Sequence, residues 1–211
     1  MGRHEVVPAD RARTLIAAAL QPIVGDFEHV RGLVWTTWLS DGIRAVIHVQ
    51  ALKGGQFDIT YGVSCHWVPH RVGETYRWHR TLKQTRRDLW VDHFTADAEP
   101  RQWISTLEGE KQLRRQADKA VRQVTNAAAA WWAATRTEAG VLAEANRQAA
   151  HAFDIHEPRA RFVAAFTHAR LGDLVAAQRQ LALVVPTSQA DHLDALTGKL
   201  SEIVAERPST R

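Results

Sequence analysis

The stretch at residues 43–67, IRAVIHVQALKGGQFDITYGVSCHW, constrains this chain more than any other. Two alternating runs flank Lys53-Gly54-Gly55, a compact hairpin turn signature. In the second run Phe57, Ile59, Tyr61, Val63, Cys65 and Trp67 share one phase. Asp58, Thr60, Gly62, Ser64 and His66 share the other, because strand side chains alternate with period two. A hairpin with one apolar and one polar face needs a cover on the apolar side, and helices before and after it supply one. The expected class is therefore α+β.

Upstream, Leu15, Ile16, Ala19, Leu20 and Ile23 recur at three- and four-residue spacings behind Pro8, which predicts an amphipathic helix ending near Gly25. LVWTTWL at residues 33–39 reads as a strand, with Ser40-Asp41-Gly42 turning into the hairpin. Downstream, LWVDHFT at residues 89–95 alternates again and supplies a fourth strand, and residues 97–100 close the β region. Beyond Arg101 the pattern reads as helical, beginning at Trp103, Ile104 and Leu107. It continues on an alanine-rich background of high helix propensity, with a break at Gly140. The segment 158–185 reads as two helices around a Leu171-Gly172-Asp173 turn, stopped by Pro186, and a last helix runs to about Glu206. The fold expected is an N-terminal helix and a mainly antiparallel four-stranded sheet over residues 1–100, followed by an all-helical region over 101–211.

No apolar run approaches the ~20 residues that span a bilayer, and the short run at residues 15–20 is not a leader, so a cytoplasmic protein without a membrane role is expected. The single cysteine, Cys65, excludes an internal disulfide and a cysteine-rich zinc site. The net charge of +4 permits an acidic or nucleic-acid partner without requiring one.

Two stretches carry family resemblance. The Ala45–Gln50 run, the Gly-Gly turn, the Phe57–Val63 run and the helix at residues 15–23 together resemble domain of unknown function 4304 over residues 10–105. That resemblance implies an α+β fold found largely in bacterial proteins and carries no catalytic residue. Ala164, Ala165, Leu171, Gly172, Asp173, Ala176, Ala177 and Leu181 resemble a tetratricopeptide-type helical hairpin. A single hairpin is not an array, since such repeats need neighbours to bury their faces, and an ordinary antiparallel pair reads the same way.

Candidate chemistry concentrates in two places. On the polar strand phase, His48, Asp58 and His66 are the candidate catalytic residues of an enzyme reading, which requires their side chains to converge in a concave pocket. His66 and His70 have the HxxxH spacing of half a metal site, but Pro69 opposes the helix that spacing needs, so no metal and no cofactor are expected. Cys65 shares the apolar phase while His66 points the other way, which favours a buried, inert thiol. Asp92 and His93 face opposite sides of their strand, and Asp154, His156 and Glu157 read as a helix-start cluster.

The second place is the basic stretch at residues 71–87, with six cationic side chains against Glu74, a local balance of +5. Arg71, Arg77, Trp78, Arg80, Arg86 and Arg87 are its candidate binding residues: arginines pair with phosphates or acidic surfaces, and Tyr76 or Trp78 can stack on an unpaired base. Trp131-Trp132 on a helix lie about 100° apart and are expected to pack in the core or to leave one ring for a partner. Phosphate-loop, dinucleotide, serine-elbow and kinase motifs are all missing. The expected function is non-catalytic binding of another protein. Nucleic-acid binding through residues 71–87 is the first alternative, and an enzyme on the His48/Asp58 face is the second.

Overall fold

The computed structural model describes residues 5–72, 75–78, 81–91, 102–150, 157–185 and 190–206. Helix α1 (Ala9–Val24) precedes strands β1 (Glu28–Arg31), β2 (Val34–Ser40), β3 (Ile43–Leu52) and β4 (Gln56–Cys65). A small hairpin follows, β5 (His70–Val72) and β6 (Thr75–Arg77), and then a 3-10 turn at Leu82–Gln84. Strands β7 (Leu89–Val91) and β8 (Ile104–Ser105) complete the β elements. Helices α2 (Glu110–Thr135), α3 (Glu138–Ala149), α4 (Glu157–Leu171), α5 (Leu174–Ala182) and α6 (Ala190–Ala205) complete the chain. The fold is α+β.

The β3–β4 hairpin is the centre of the main sheet, in register from Ile43 opposite Cys65 to Leu52 opposite Gln56. Its turn uses Gly54 and Gly55 at φ of 74° and 70°, a conformation that side-chain-bearing residues rarely adopt. The sheet order is β1-β2-β3-β4-β7, with β8 on β4 as well, and every pairing is antiparallel. It thus has six strands where four were expected. The two further strands are β1, whose EHVR sequence is mostly exposed, and β8, which lies where the sequence pattern predicts the start of a helix.

Edge chemistry explains β8. Ile104 pairs with Phe57, the Thr106 N–H donates to the Gly55 carbonyl at 2.9 Å, and the Ser105 N–H donates to Gln116 Oε1 at 2.7 Å. Backbone groups along the first part of β4 are satisfied in this way, and the helix starts only at Glu110. Gly140 lies in the first turn of α3, and the break precedes it: Thr137 caps that helix, its hydroxyl accepting from the Gly140 N–H at 3.0 Å. Residues 92–101, 151–156 and 186–189, with the acidic and capping candidates placed there, lie outside the described residues.

The apolar face of the sheet is covered in two portions. Trp35, Ile47, Ile59, Tyr61 and Val91 pack against α1 and α2. At the other end Ile43, Val63, Cys65 and Leu89 pack against a core built from α3 to α6. Trp131 and Trp132, both half-buried, join the two portions, and Trp132 Nε1 donates to the Gly62 carbonyl at 3.0 Å. Cys65 is fully buried in the second core. Helices α4 and α5 meet at Gly172 and Asp173, where the Asp173 carboxylate accepts from the Ala176 N–H at 2.9 Å. Among the described residues no helix is long and apolar enough to cross a membrane.

Candidate functional site

With its apolar side covered, the sheet leaves its polar phase to be roofed by whatever the chain brings across it. The rows on that face are Val34–His48–Thr60 and Thr36–Val46–Gly62–Trp90, read across neighbouring strands. The roof is the end of the basic stretch. Thr81 and Gln84 form a reciprocal capping box around the 3-10 turn, with the Thr81 N–H donating to Gln84 Oε1 at 3.2 Å. That turn sends Thr85, Arg86 and Arg87 back over the sheet. Asp88 then anchors the segment: its N–H donates to the Val63 carbonyl at 2.6 Å, and its carboxylate accepts from the Cys65 N–H at 2.8 Å.

The result is a half-open cleft of about 450 Å³, lined by Arg31, Val34, Val46, His48, Thr85, Arg86, Arg87, Trp90 and Arg159. Four arginines from three separate parts of the chain face one space. Arg87 is half-buried; its guanidinium donates to the Thr60 hydroxyl and lies 5.2 Å from the centre of the Trp90 ring. The Thr60 hydroxyl in turn donates to the His48 carbonyl at 2.9 Å. Arg159, at the start of α4, is held by an ion pair with the fully buried Asp88. Arg31 lies at the end of β1, beside the Gly32 turn.

His48 reports the electrostatics of the cleft. Burial and then the neighbouring guanidiniums of Arg87 and Arg31 lower its pKa from the usual 6.5 to about 4. The imidazole is therefore neutral at pH 7, in a region of positive potential that receives an anion more readily than another proton.

The structure divides the residues singled out from sequence. His48, Arg86 and Arg87 come together in the cleft. Asp58 is buried on the same face, opposite Gln50 and diagonal to His48, and is not among the lining residues. His66 is elsewhere. It lies six positions beyond Thr60, roughly 20 Å away at strand rise, with its ring 4.8 Å from Trp38 at the Arg44 end of the sheet. The convergence of His48, Asp58 and His66 that the enzyme reading requires is absent.

The basic stretch is likewise split. Arg77 is exposed on β6, away from the cleft, and Arg71 lies on β5 opposite Tyr76. Arg80 lies outside the described residues. The expectation that Tyr76 or Trp78 presents a stacking surface is corrected. Tyr76 stacks on Phe162 at 6.2 Å, and Trp78 packs on Phe166 at 6.2 Å, with Lys199 Nζ 5.8 Å from its ring. Both rings dock the β5–β6 hairpin onto α4 and α6. No group of His, Cys, Asp and Glu among the described residues is arranged to hold a metal ion.

Arg31, Thr85, Trp90 and Arg159 were not identified from sequence. The phase of LWV relative to β4 places Trp90 on the polar face once β7 is paired, but nothing local marks Arg159, which arrives from a helix 71 residues beyond its partner Asp88. No family model matches this chain, and comparison with curated proteins and with solved structures finds no match.

Proposed function

We propose that this chain is a binding protein whose site is the arginine cleft, and that it captures a small ligand bearing a phosphate or carboxylate group. The single observation that carries this reading is the convergence of Arg31, Arg86, Arg87 and Arg159 around a half-buried neutral histidine. Guanidinium groups present planar, paired donors matched to two oxygens of such anions, and low-dielectric walls strengthen each charge-assisted bond. Arg87 and Arg159 are already oriented by Thr60 and Asp88, which lowers the ordering cost of binding.

A volume of about 450 Å³ falls within the usual range for small-ligand sites. An acidic protein surface or a nucleic-acid backbone, the partners expected from sequence, would offer the same anionic groups to the cleft mouth. The half-buried position of Arg87 and Arg159 favours the smaller ligand.

The test is calorimetric titration with phosphate, pyrophosphate, succinate and citrate, using wild type and the Arg31→Ala/Arg86→Ala double variant. Both substituted side chains are exposed, so the fold is retained. Saturable 1:1 binding of at least one anion, weakened roughly tenfold or more in the variant, is expected from the loss of two charge-assisted contacts. Absence of binding by every anion at millimolar concentration contradicts the reading.

A further inference from the structure

The lining of the cleft is not uniformly cationic. Val34, Val46 and Trp90 form an apolar wall on the sheet itself, and the arginines lie beside it, Arg31 as the strand partner of Val34 and the Arg87 guanidinium 5.2 Å from the centre of the Trp90 ring. This wall has a local cause. Val46 and Trp90 flank Gly62 on the same face, and a Cβ at Gly62 would come within 2.9 Å of Trp90 Cβ and 2.3 Å of the Leu89 carbonyl. Glycine at this position lets β7 close onto β4, with Val46 and Trp90 on either side of it.

Size adds a second constraint. A bare phosphate takes the space of only a few waters, each about 30 Å³ of liquid volume. It leaves most of the 450 Å³ unfilled. A ligand that satisfies both parts has an anionic head and a flat, ring-bearing body.

We infer that the ligand of this cleft is a nucleoside phosphate, its phosphate held among Arg31, Arg86, Arg87 and Arg159 and its base against Trp90 and Val46. The inference rests on the anion reading of the cleft and adds the organic part. Base–aromatic stacking tolerates any base, so Trp90 supplies affinity with little discrimination among the four.

The experiment compares calorimetric affinities for the four ribonucleoside 5′-monophosphates, ribose 5-phosphate, the corresponding nucleosides and inorganic phosphate. Wild type is measured beside Trp90→Leu, Trp90→Phe and Arg31→Ala/Arg86→Ala, with thermal denaturation confirming that each variant is folded. At least one nucleotide is expected to bind roughly tenfold or more tighter than ribose 5-phosphate, within the range that one stacked base supplies. Trp90→Leu lowers nucleotide affinity more than ribose 5-phosphate affinity and so removes that advantage, Trp90→Phe retains most of it, and the arginine variant weakens every phosphorylated probe. Equal affinity for nucleotides, ribose 5-phosphate and inorganic phosphate overturns the nucleoside assignment and leaves the anion site standing. No binding by any phosphorylated probe overturns the nucleoside assignment, and the anion reading fails with it if succinate and citrate also do not bind. The wild-type comparison alone decides the matter if the leucine variant does not fold.

Discussion

The Arg87 guanidinium donates a hydrogen bond to the hydroxyl of Thr60, 27 residues earlier in the chain and on the polar face of the central hairpin. That contact ties the end of the basic stretch to the sheet and makes one cleft out of two features that are separate in sequence. Because the Thr60 hydroxyl also donates to the His48 carbonyl, the three residues form a short chain of hydrogen bonds under the cleft.

Replacing Thr60 with Val keeps the shape of a fully buried side chain and deletes its hydroxyl. The expected cost is about 1–2 kcal/mol, since the buried His48 carbonyl and Arg87 guanidinium each lose a partner. Urea denaturation measures it. Anion affinity should fall too, because Arg87 loses one of the contacts that orient it, and a double-mutant cycle with Arg87→Ala should show coupling between the two positions.

Asp88 is the buried anchor of the roof, accepting from the Cys65 N–H and pairing with Arg159. Asp88→Ala leaves that amide and that guanidinium without their acceptor. A loss of about 3 kcal/mol is expected, in the range for breaking a buried pair from one side, discounted because Arg159 is partly solvated. Chemical denaturation gives the value. Arg159→Ala, which removes the solvated partner, should cost less stability than Asp88→Ala and weaken anion binding.

Stability should depend on pH in two separate windows. His48 has its folded pKa lowered from 6.5 to about 4, so between those values the unfolded chain binds a proton that the folded chain refuses. Stability is then highest above about pH 6.5 and falls as pH drops toward 4, by up to about 3 kcal/mol. His48→Gln should flatten this limb. Glu110 acts at lower pH: its hydrogen bonds from Arg11 and then Arg114 lower its pKa from 4.5 to about 2. Its contribution is present above pH 4.5 and is lost as pH falls through 2. Denaturation midpoints of wild type and His48→Gln from pH 8 to pH 3 separate the two windows.

Gly62→Ala places a Cβ where the Leu89 carbonyl and Trp90 Cβ already sit. Strand β7 must shift outward, at an expected cost of about 1–3 kcal/mol. The same shift moves Trp90 away from Val46, so nucleotide affinity should fall more than ribose 5-phosphate affinity. Thermal denaturation and calorimetry on the one variant check both effects.

The hairpin was legible because its signal is local: a period of two on either side of a Gly-Gly turn assigns Phe57, Ile59 and Tyr61 to one face and Asp58 and Thr60 to the other. Strand β1 was not, because EHVR is a mostly exposed edge with little to alternate. Strand β8 was not, because its pairing is decided by open backbone groups of β4, which no residue in the TrpIleSer stretch announces. The site divides along the same line. His48, Arg86 and Arg87 were visible as residue types in suggestive places. Arg31 and Arg159 enter the cleft only through tertiary placement, and Tyr76 and Trp78 were misassigned because Phe162 and Phe166, their docking partners, lie more than 80 positions away.

The central claim is that the four arginines act as one anion site. Its most direct test is an NMR titration of isotopically labelled protein with pyrophosphate, following the arginine Nε–H signals and the His48 ring. The account predicts saturable shifts with a common affinity for Arg31, Arg86, Arg87, Arg159 and His48, while Arg77 on β6 stays unchanged. Shifts of similar size at Arg77 and the other exposed arginines, or no saturable shift at the cleft, would contradict it.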